Sequence, residues 1–517
     1  MLPKLRGFTQ SGGVYTLPNI IAISGPFEDS CCSVFLQRTE RTLQASNRSD
    51  ITLSKDDALS SEEYIIVVDN GGVKISAASE NSVILAFATL YQMIDKDGNI
   101  PHCQINDAPR YGHRGLSFDC ARHFFPADEI KRIIEQMSLV KMNVLHWHLA
   151  DDQGWRIESK RYPKLHAQNE YYSQQDIADI VAFAGERGVE IIPEIDMPGH
   201  ARALLAAYPE YSCSGIEVKR AEYGGIYSIV LCAGNEKTYE FVGDLLDEIC
   251  PLFPSSRFHI GGDEVPKKEW KKCSHCQAKI HEMGLKDETE LQAYFSNRVI
   301  EMLARHGKSA VCWNDSLEAT NLNRDVLVQY WSVQYADDIP PYVNAGGKFI
   351  YSDMFRFYFD YPYFMIPLEK VYNGPMSILE TGYSDSAAVV GIEACLWSER
   401  IVTADRLEEQ LFPRLYAVAE VAWHDGARDY ADFKSRLSVF LDSYHSLNLK
   451  PAELWDPQGE TRKQELVEYM SRANAGMPEE VRRETMENYK PNKYFRDAMA
   501  SFYTAEDAAI IAGLRGE

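Results

Sequence analysis

Two adjacent acids, Asp263 and Glu264, follow a pair of glycines in the run FHIGGDEV at residues 258–265. Lacking a Cβ, glycine lets a backbone approach a ligand closely, so acids placed there can reach a substrate. Adjacent residues have Cα atoms about 3.8 Å apart, and both carboxyls therefore enter a site from one side. A glycosidase that supplies its own nucleophile needs carboxyls on opposite sides of the reacting carbon, about 5–5.5 Å apart. One acid of this pair can protonate a leaving oxygen while its neighbour handles another part of the substrate. The plainer reading is a helix N-terminus bearing two acids, which the free N–H groups there favour.

Polar and aromatic residues recur at comparable places: His146-Trp147-His148 ahead of Asp151-Asp152, Glu194 and Asp196 ahead of His200, then Trp313-Asn314-Asp315, Trp331 and Trp397-Ser398-Glu399. Indole faces stack on the apolar face of a pyranose, and acids bind hydroxyls or protonate the leaving oxygen, so the combination suits a sugar. Tryptophans at such positions also pack the outer layer of a fold. Four at separate positions are more than packing alone accounts for. No nucleophilic Ser or Cys motif competes.

Something must bring these segments to one place. From His113 onward, short apolar runs alternate with helical stretches, the pattern of parallel βα units. The eight expected strands are Arg114 to Phe118, Asn143 to Trp147, Glu190 to Glu194, Arg257 to Gly261, Ala310 to Trp313, Val326 to Trp331, Phe349 to Ser352 and Gly391 to Trp397. Eight in series close a (β/α)₈ barrel, whose reactive residues lie at the C-terminal ends of its strands. The expected helices include Ala127 to Leu139, Gln175 to Arg187, Glu236 to Cys250, Glu288 to Arg305 and Ala404 to Trp423, with the fifth to seventh intervals less regular. The fold class is thus α/β: a small α+β domain over 1–110, a barrel over 111–445 and a helical C-terminal extension over 446–517. No internal repeat or low-complexity tract interrupts it.

Composition agrees with a large core: of 517 residues, 45% are hydrophobic and 11% aromatic. A formal charge of −23 and a pI near 5.1 disfavour nucleic acid as a partner, because phosphate binding relies on clustered Lys and Arg. The opening MLPKLRGFTQSGG lacks the apolar stretch of a secretory signal, and no later run approaches transmembrane length, so a soluble, cytoplasmic protein without a membrane partner is expected. Eleven cysteines, several at expected strand or helix positions (Cys120, Cys232, Cys250, Cys312, Cys395), suit buried reduced thiols. Oligomeric state is left open.

The run FHIGGDEV, with RGLSFDCARHF at 114–124, NVLHWHLADDQGWRIES at 143–159, IIPEIDMPGHARA at 191–203 and GIEACLWSERI at 391–401, resembles glycoside hydrolase family 20 over about residues 60–425. The resemblance implies an exo-acting, retaining β-N-acetylhexosaminidase. Its substrates would be N-acetylhexosamine-containing oligosaccharides or glycoconjugates, and it would need no cofactor. It implies substrate-assisted catalysis through an oxazolinium intermediate, the family being one of the exceptions to the two-carboxylate scheme. On this likeness Glu264 is the general acid and base, and Asp263 orients the acetamido group. Arg114 is similar to the family's ligand of the 3- and 4-hydroxyls, and Trp313, Trp331 and Trp397 to the box around the acetyl methyl. Tyr358 matches the tyrosine on the acetamido carbonyl, a choice among three tyrosines of RFYFDYPY that depends on aligning Asp360. Asp360 and Glu399 match ligands of the 4- and 6-hydroxyls, Asp196 and His200 a relay behind the acid, and His148 a site-lining residue.

Two competing functions stay open: a silent sugar-binding barrel, and a double-displacement glycosidase pairing Glu264 with Glu194 or Glu399. Retention of both Asp263 and Glu264 speaks against the former. Metal is not expected. His146, His148 and His259 lack the i, i+4 spacing of zinc hydrolases, and Cys273-Ser-His-Cys276 is a lone Cys-x-x-Cys, short of the four ligands zinc usually takes. Cys213, His275 or His281 could supply others, but free thiols are the expectation, and activity is expected to survive chelators.

Overall fold

The computed structural model describes residues 1–28, 30–44, 49–167, 169–373, 387–443, 449–473, 476–489 and 491–515. Eight parallel strands close a barrel: β1 (His113–Asp119), β2 (Val144–His148), β3 (Glu190–Glu194), β4 (Arg257–His259), β5 (Ser309–Trp313), β6 (Leu327–Tyr330), β7 (Phe349–Tyr351) and β8 (Val389–Leu396). β8 returns to β1 with Gly391 opposite His113 and Leu396 opposite Phe118. Every residue of β1 and β2 is buried, which is why these strands read as apolar runs and not as alternating ones. β4 ends earlier than expected, at His259, because Gly261 and Gly262 take φ of 68° and 96° and leave the extended region.

The helices Ala127–Leu139, Gln174–Glu186, Glu236–Ile249 and Glu288–Arg305 follow β1 to β4. Their ends are set locally: Ser173 forms a capping box with Asp176, and the Asp287 carboxylate accepts from the N–H groups of Thr289 and Glu290. Past β5 the outer layer consists of short pieces such as Asn314–Glu318 and Ile339–Asn344. The helix expected from Ala404 to Trp423 is two, Ala404–Leu411 and Arg414–Trp423, since Pro413 lacks the N–H that would continue the first.

The barrel interior holds two buried carboxylates. Glu393 pairs with His113 at 2.7 Å and His146 at 2.9 Å, and accepts from Gln329 at 2.7 Å. Glu194 contacts His146 at 3.0 Å, His259 at 2.8 Å and His148, and accepts from Trp313 Nε1 at 2.9 Å. Burial alone would lower His146, but Glu194 and Glu393 outweigh it and raise the imidazole to about 9. Two buried anions are thereby matched by imidazole and indole donors.

Ahead of the barrel, a six-stranded sheet runs in the order Gly7–Thr16, Asn99–Asp107, Tyr64–Asp69, Gly72–Ala77, Ile51–Lys55, Ile23–Ser24. The helices Ser30–Thr39 and Glu80–Met93 share its core, where the Phe35 and Phe87 rings stack at 4.6 Å. Arg114 fastens this layer to the barrel and does not line the mouth. It lies near the N-terminal end of β1, where its guanidinium donates to both Glu62 oxygens at 2.7 and 3.0 Å and to the carbonyls of Lys141 and Tyr111 at 2.8 Å. A residue at the start of a barrel strand points to the face opposite the reactive one, so the expectation that Arg114 binds sugar hydroxyls is corrected.

The C-terminal helices Gly459–Ala473, Glu479–Asn488, Lys493–Ala500 and Ala505–Arg515 pack beside the mouth. Thr485 and Glu484 accept from the N–H groups of Ile226 and Ser228, and the Asn488 amide donates to the Ile226 carbonyl at 2.8 Å. Phe495 and Phe502 sit against Phe355 at 5.8 and 5.1 Å between ring centroids. No described helix is long and apolar enough to cross a membrane.

Candidate active site

The turn after β4 carries the acid pair. Gly261 has no substitute: a Cβ there would stand 1.7 Å from Asp196 Oδ1. Glu264 itself takes φ of 49°, in the left-handed region that non-glycine residues seldom occupy. Neighbouring strands hold this strained turn. The Gly262 N–H donates to Asp196 Oδ1 at 3.1 Å, the Glu264 N–H to Asp315 Oδ1 at 3.1 Å, and Gln292 to the Gly262 carbonyl at 2.8 Å. Trp331 Nε1 donates to the other Asp315 oxygen at 2.7 Å, so one carboxylate ties the acid turn to the aromatic wall.

Charge is distributed unevenly among the acids. Burial pushes Asp263 up to about 6, with His200 pulling it down and Glu264 pushing it up. Burial first, then the Asp263 charge, hold Asp196 well above the usual carboxylate range, and Asp315 is raised by the same two causes. His200 would be lowered by burial, but Asp151, Asp152 and Glu264 outweigh this and keep the imidazole cationic. Its Nε2 lies 3.5 Å from Glu264 Oε2 and 3.8 Å from Asp263 Oδ2, and its Nδ1 3.3 Å from Asp152 and 3.4 Å from Asp151. These are ion-pair distances; neither ring nitrogen has an aligned hydrogen-bond partner among the described residues. His148 stands one step further back, with Nε2 3.0 Å from Asp151 and its other nitrogen on Glu194.

Aromatic rings wall the cleft. Trp331 and Tyr358 are nearly parallel at 6.1 Å, Tyr358 meets Trp397 at 5.9 Å, and Trp397 meets Trp313 at 5.8 Å. Trp313 is 1% exposed and meets this wall through Trp397. A cavity of about 260 Å³ opens between these rings and the acids, lined among others by Asp196, Asp263, Glu264, Asp360 and Glu399. It continues into a second space of about 410 Å³ past Trp397 and Glu399 toward Tyr223 and Gly224. Burial and the Glu399 charge push Asp360 up to about 7, and its Oδ1 is buried without a hydrogen-bond partner among the described residues. A larger cavity, of about 820 Å³, runs from Asp360 under the extension toward Lys450 and away from the acid pair.

The arginine at the mouth is Arg122. It follows the C-terminal end of β1, forms an ion pair with Asp151 Oδ2 at 2.7 Å, lies 4.0 Å from Glu399, and sets its guanidinium 4.8 Å from the Trp397 ring centroid. Its Nε and Nη1 have no hydrogen-bond partner among the described residues. The same motif, RGLSFDCARHF, contains both arginines, and position relative to the strand end would have chosen Arg122. Two further lining residues, Tyr489 and Phe495, come from the extension, where no motif marked them.

Glu194 cannot serve as an opposing nucleophile, because three histidines and Trp313 surround its carboxylate and it is fully buried. His146 and His259 belong to that interior network, where one atom each of His146, Glu194 and His259 lie within 4.8 Å of one another. The Cys273-x-x-Cys276 pair, by contrast, does not stand alone: Cys213 and Cys232 join it.

Known proteins resemble this chain in sequence and in fold. The family described as "Glycosyl hydrolase family 20, catalytic domain" matches residues 111–426, and its "domain 2" matches residues 30–108. A β-hexosaminidase of Porphyromonas gingivalis is 36% identical over 442 residues, 75% of this chain; the chain spans 55% of that relative's length. One from Vibrio furnissii is 33% identical across 72% of this chain and 67% of its own. Among solved structures, a β-N-acetylhexosaminidase of Bacteroides fragilis superposes with a TM-score of 0.82 at 29% identity, covering 87% of this chain and 96% of that one. An exo-β-N-acetylglucosaminidase of Vibrio harveyi, in complex with N-acetylglucosamine, gives 0.79 at 30% identity over 88% and 78%.

Proposed function

Because the chain belongs to glycosyl hydrolase family 20, we propose that it removes terminal, non-reducing β-linked N-acetylglucosamine or N-acetylgalactosamine from oligosaccharides or glycoconjugates, with the substrate's acetamido oxygen as nucleophile. One observation carries the reading. Asp263 and Glu264 enter the cleft from the same turn, and Asp263 Oδ1 is buried there without a hydrogen-bond partner among the described residues. A carboxylate beside the acid is badly placed for attack on the opposite face of the sugar, but well placed to accept an acetamido N–H.

In this mechanism the Glu264 carboxylic acid donates its proton to the glycosidic oxygen as that bond to C1 breaks. The acetamido carbonyl oxygen attacks C1, and positive charge develops on the amide as the ring closes to an oxazolinium. Asp263 accepts the N–H and offsets that charge in a site whose aromatic walls keep water out, where electrostatic interactions are stronger than in solution. The Glu264 carboxylate then takes a proton from water, which opens the ring at C1 and returns the sugar with its β configuration. His200 and Asp196 set the field behind the pair, and Asp360, Glu399 and Arg122 offer hydroxyl ligands.

Nitrophenyl glycosides test this directly. The β-N-acetylglucosaminide and β-N-acetylgalactosaminide are expected to turn over, while the plain β-glucoside stays nearly inert for want of a nucleophile. Comparable turnover on the glucoside would sink the mechanism. The aromatic box makes its own prediction: Trp397→Ala weakens binding of N-acetylated inhibitors by at least about tenfold, about 1.4 kcal/mol, while the melting temperature falls moderately. A core tryptophan would instead cost about 3–5 kcal/mol of stability and leave inhibitor affinity of the folded fraction unchanged. Calorimetric Kd values read beside melting curves separate the two.

A further inference from the structure

Four cysteines that the sugar chemistry does not use converge on one point. Cys213 follows the turn Pro209–Tyr211, and Cys232 lies further along the same β3–β4 connection, beside the bridge that joins Ser212 to Leu231. Cys273 and Cys276 come from the connection after β4, at the junction of the helices Lys268–Lys272 and Ser274–Met283. All four sulfurs lie within 4.8 Å of one another; Cys232, Cys273 and Cys276 are buried and Cys213 partly so. The individual separations are 3.8 Å for Cys213–Cys276, and 3.7 Å for both Cys232–Cys273 and Cys232–Cys276.

Those distances discriminate between the chemistries open to cysteine. A disulfide requires about 2.05 Å between sulfurs, so none of these pairs is bonded. Four thiolates around zinc stand about 2.3 Å from the metal in a tetrahedron, and the edge of that tetrahedron is about 3.8 Å. Thiols buried as small apolar side chains have no reason to meet four at a time around one centre. The chain also shows the accommodations such a centre needs. Gly234 permits the close approach of the Ser274–Met283 helix, since a Cβ there would lie 2.2 Å from the His275 carbonyl carbon. Cys273 occupies the N-cap of that helix but makes no capping bond through its side chain, which leaves its sulfur free to serve as a ligand. Buried Trp270 donates from Nε1 to the Leu231 carbonyl at 3.0 Å, and the Cys232 N–H donates to Tyr211 at 2.8 Å, fixing both connections around the sulfurs.

We propose that Cys213, Cys232, Cys273 and Cys276 bind one structural zinc ion that clamps the β3–β4 connection to the segment following the acid pair. With four protein ligands the site is closed, so the ion takes no part in chemistry. Its effect is mechanical: it joins the connection that bears His200 to the one that continues from Glu264. The site is independent of what the cleft hydrolyses, and its test does not depend on activity.

The full chain, produced in zinc-supplemented medium and passed through a desalting column, should carry about one zinc per molecule by elemental mass spectrometry. X-ray absorption should show four sulfur neighbours at about 2.3 Å, and a mercurial reagent should release the metal as it titrates thiols. Cys213→Ser and Cys276→Ser should each lose most of the zinc and melt at a lower temperature. Should either variant fail to fold, the metal content and sulfur shell of the unaltered protein still decide. Zinc-free protein whose melting temperature ignores added zinc would overturn the proposal. So would oxygen or nitrogen neighbours in the absorption spectrum, a mass lowered by disulfide formation among these four, or a full zinc equivalent retained in both variants.

Discussion

Glu264→Gln is expected to fold normally and to lower kcat on a natural β-linked disaccharide by about 10²–10⁴-fold, the range that general acid assistance contributes. An amide of the same shape cannot deliver the proton that the departing sugar oxygen needs. The backbone strain at Glu264, with its φ of 49°, is unchanged because the two side chains share their Cβ and branching. The Glu264 N–H still donates to Asp315, so the turn stays anchored. On a nitrophenyl glycoside, whose leaving group departs without protonation, the first step should suffer much less. Steady-state rates on both substrates, with circular dichroism and a melting curve as controls, check this. Turnover of the disaccharide within a factor of a few of the unaltered enzyme would remove Glu264 from the role of acid.

How much of this was legible before the structure depends on the range of the interaction concerned. The barrel strands could be read because each is short and buried over most of its length. The helix Glu288–Arg305 could be read to the residue because Asp287 caps it and acids crowd its first turn. Errors arose where a local feature overrode the pattern: Gly261 and Gly262 ended β4 early, and Pro413 broke a helix whose apolar period ran on. Arg114 and Arg122 share one motif and differ only in which end of β1 they occupy, so composition could not separate them. Asp315 stood in view at a strand end, but its bond to the Glu264 N–H exists only because β4 and β5 are neighbours. Nothing in the polar tail marked Tyr489 or Phe495 as the residues that turn toward the mouth. Cys213 could be named beside Cys273 and Cys276 as a possible ligand, but Cys232 is too far from them in the chain for spacing to add it to the group.

Asp263→Asn separates the electrostatic role of this side chain from its shape, and is expected to cut kcat by about 10²–10³-fold, the usual cost of losing one preorganised charge-stabilising group. KM should change by less than about tenfold, because the amide oxygen can still accept from the acetamido N–H of the bound substrate. What it cannot do is offset the charge of the closing oxazolinium. The pH profile adds a signature. In the proposed mechanism Asp263 acts ionised, and burial holds its carboxyl at about 6 against an ordinary 3.8, so kcat/KM of the unaltered enzyme should fall as pH drops through about 6. In the variant that acidic limb should disappear. Stability should move the opposite way. A carboxyl whose folded pKa is raised contributes stability below its unfolded value and loses it as pH rises through the folded one, so at neutral pH the ionised Asp263 is a burden on the native state. The Asn variant is therefore expected to melt at the same temperature or higher at pH 7 while turning over far more slowly, as when a site holds an unfavourable charge for the sake of its chemistry. A thiazoline analogue of the intermediate should bind the unaltered enzyme far more tightly than N-acetylglucosamine and lose most of that advantage in the variant. A variant that keeps its kcat and its acidic limb would take Asp263 out of the mechanism, and a sugar trapped covalently on a protein carboxylate would replace the mechanism altogether.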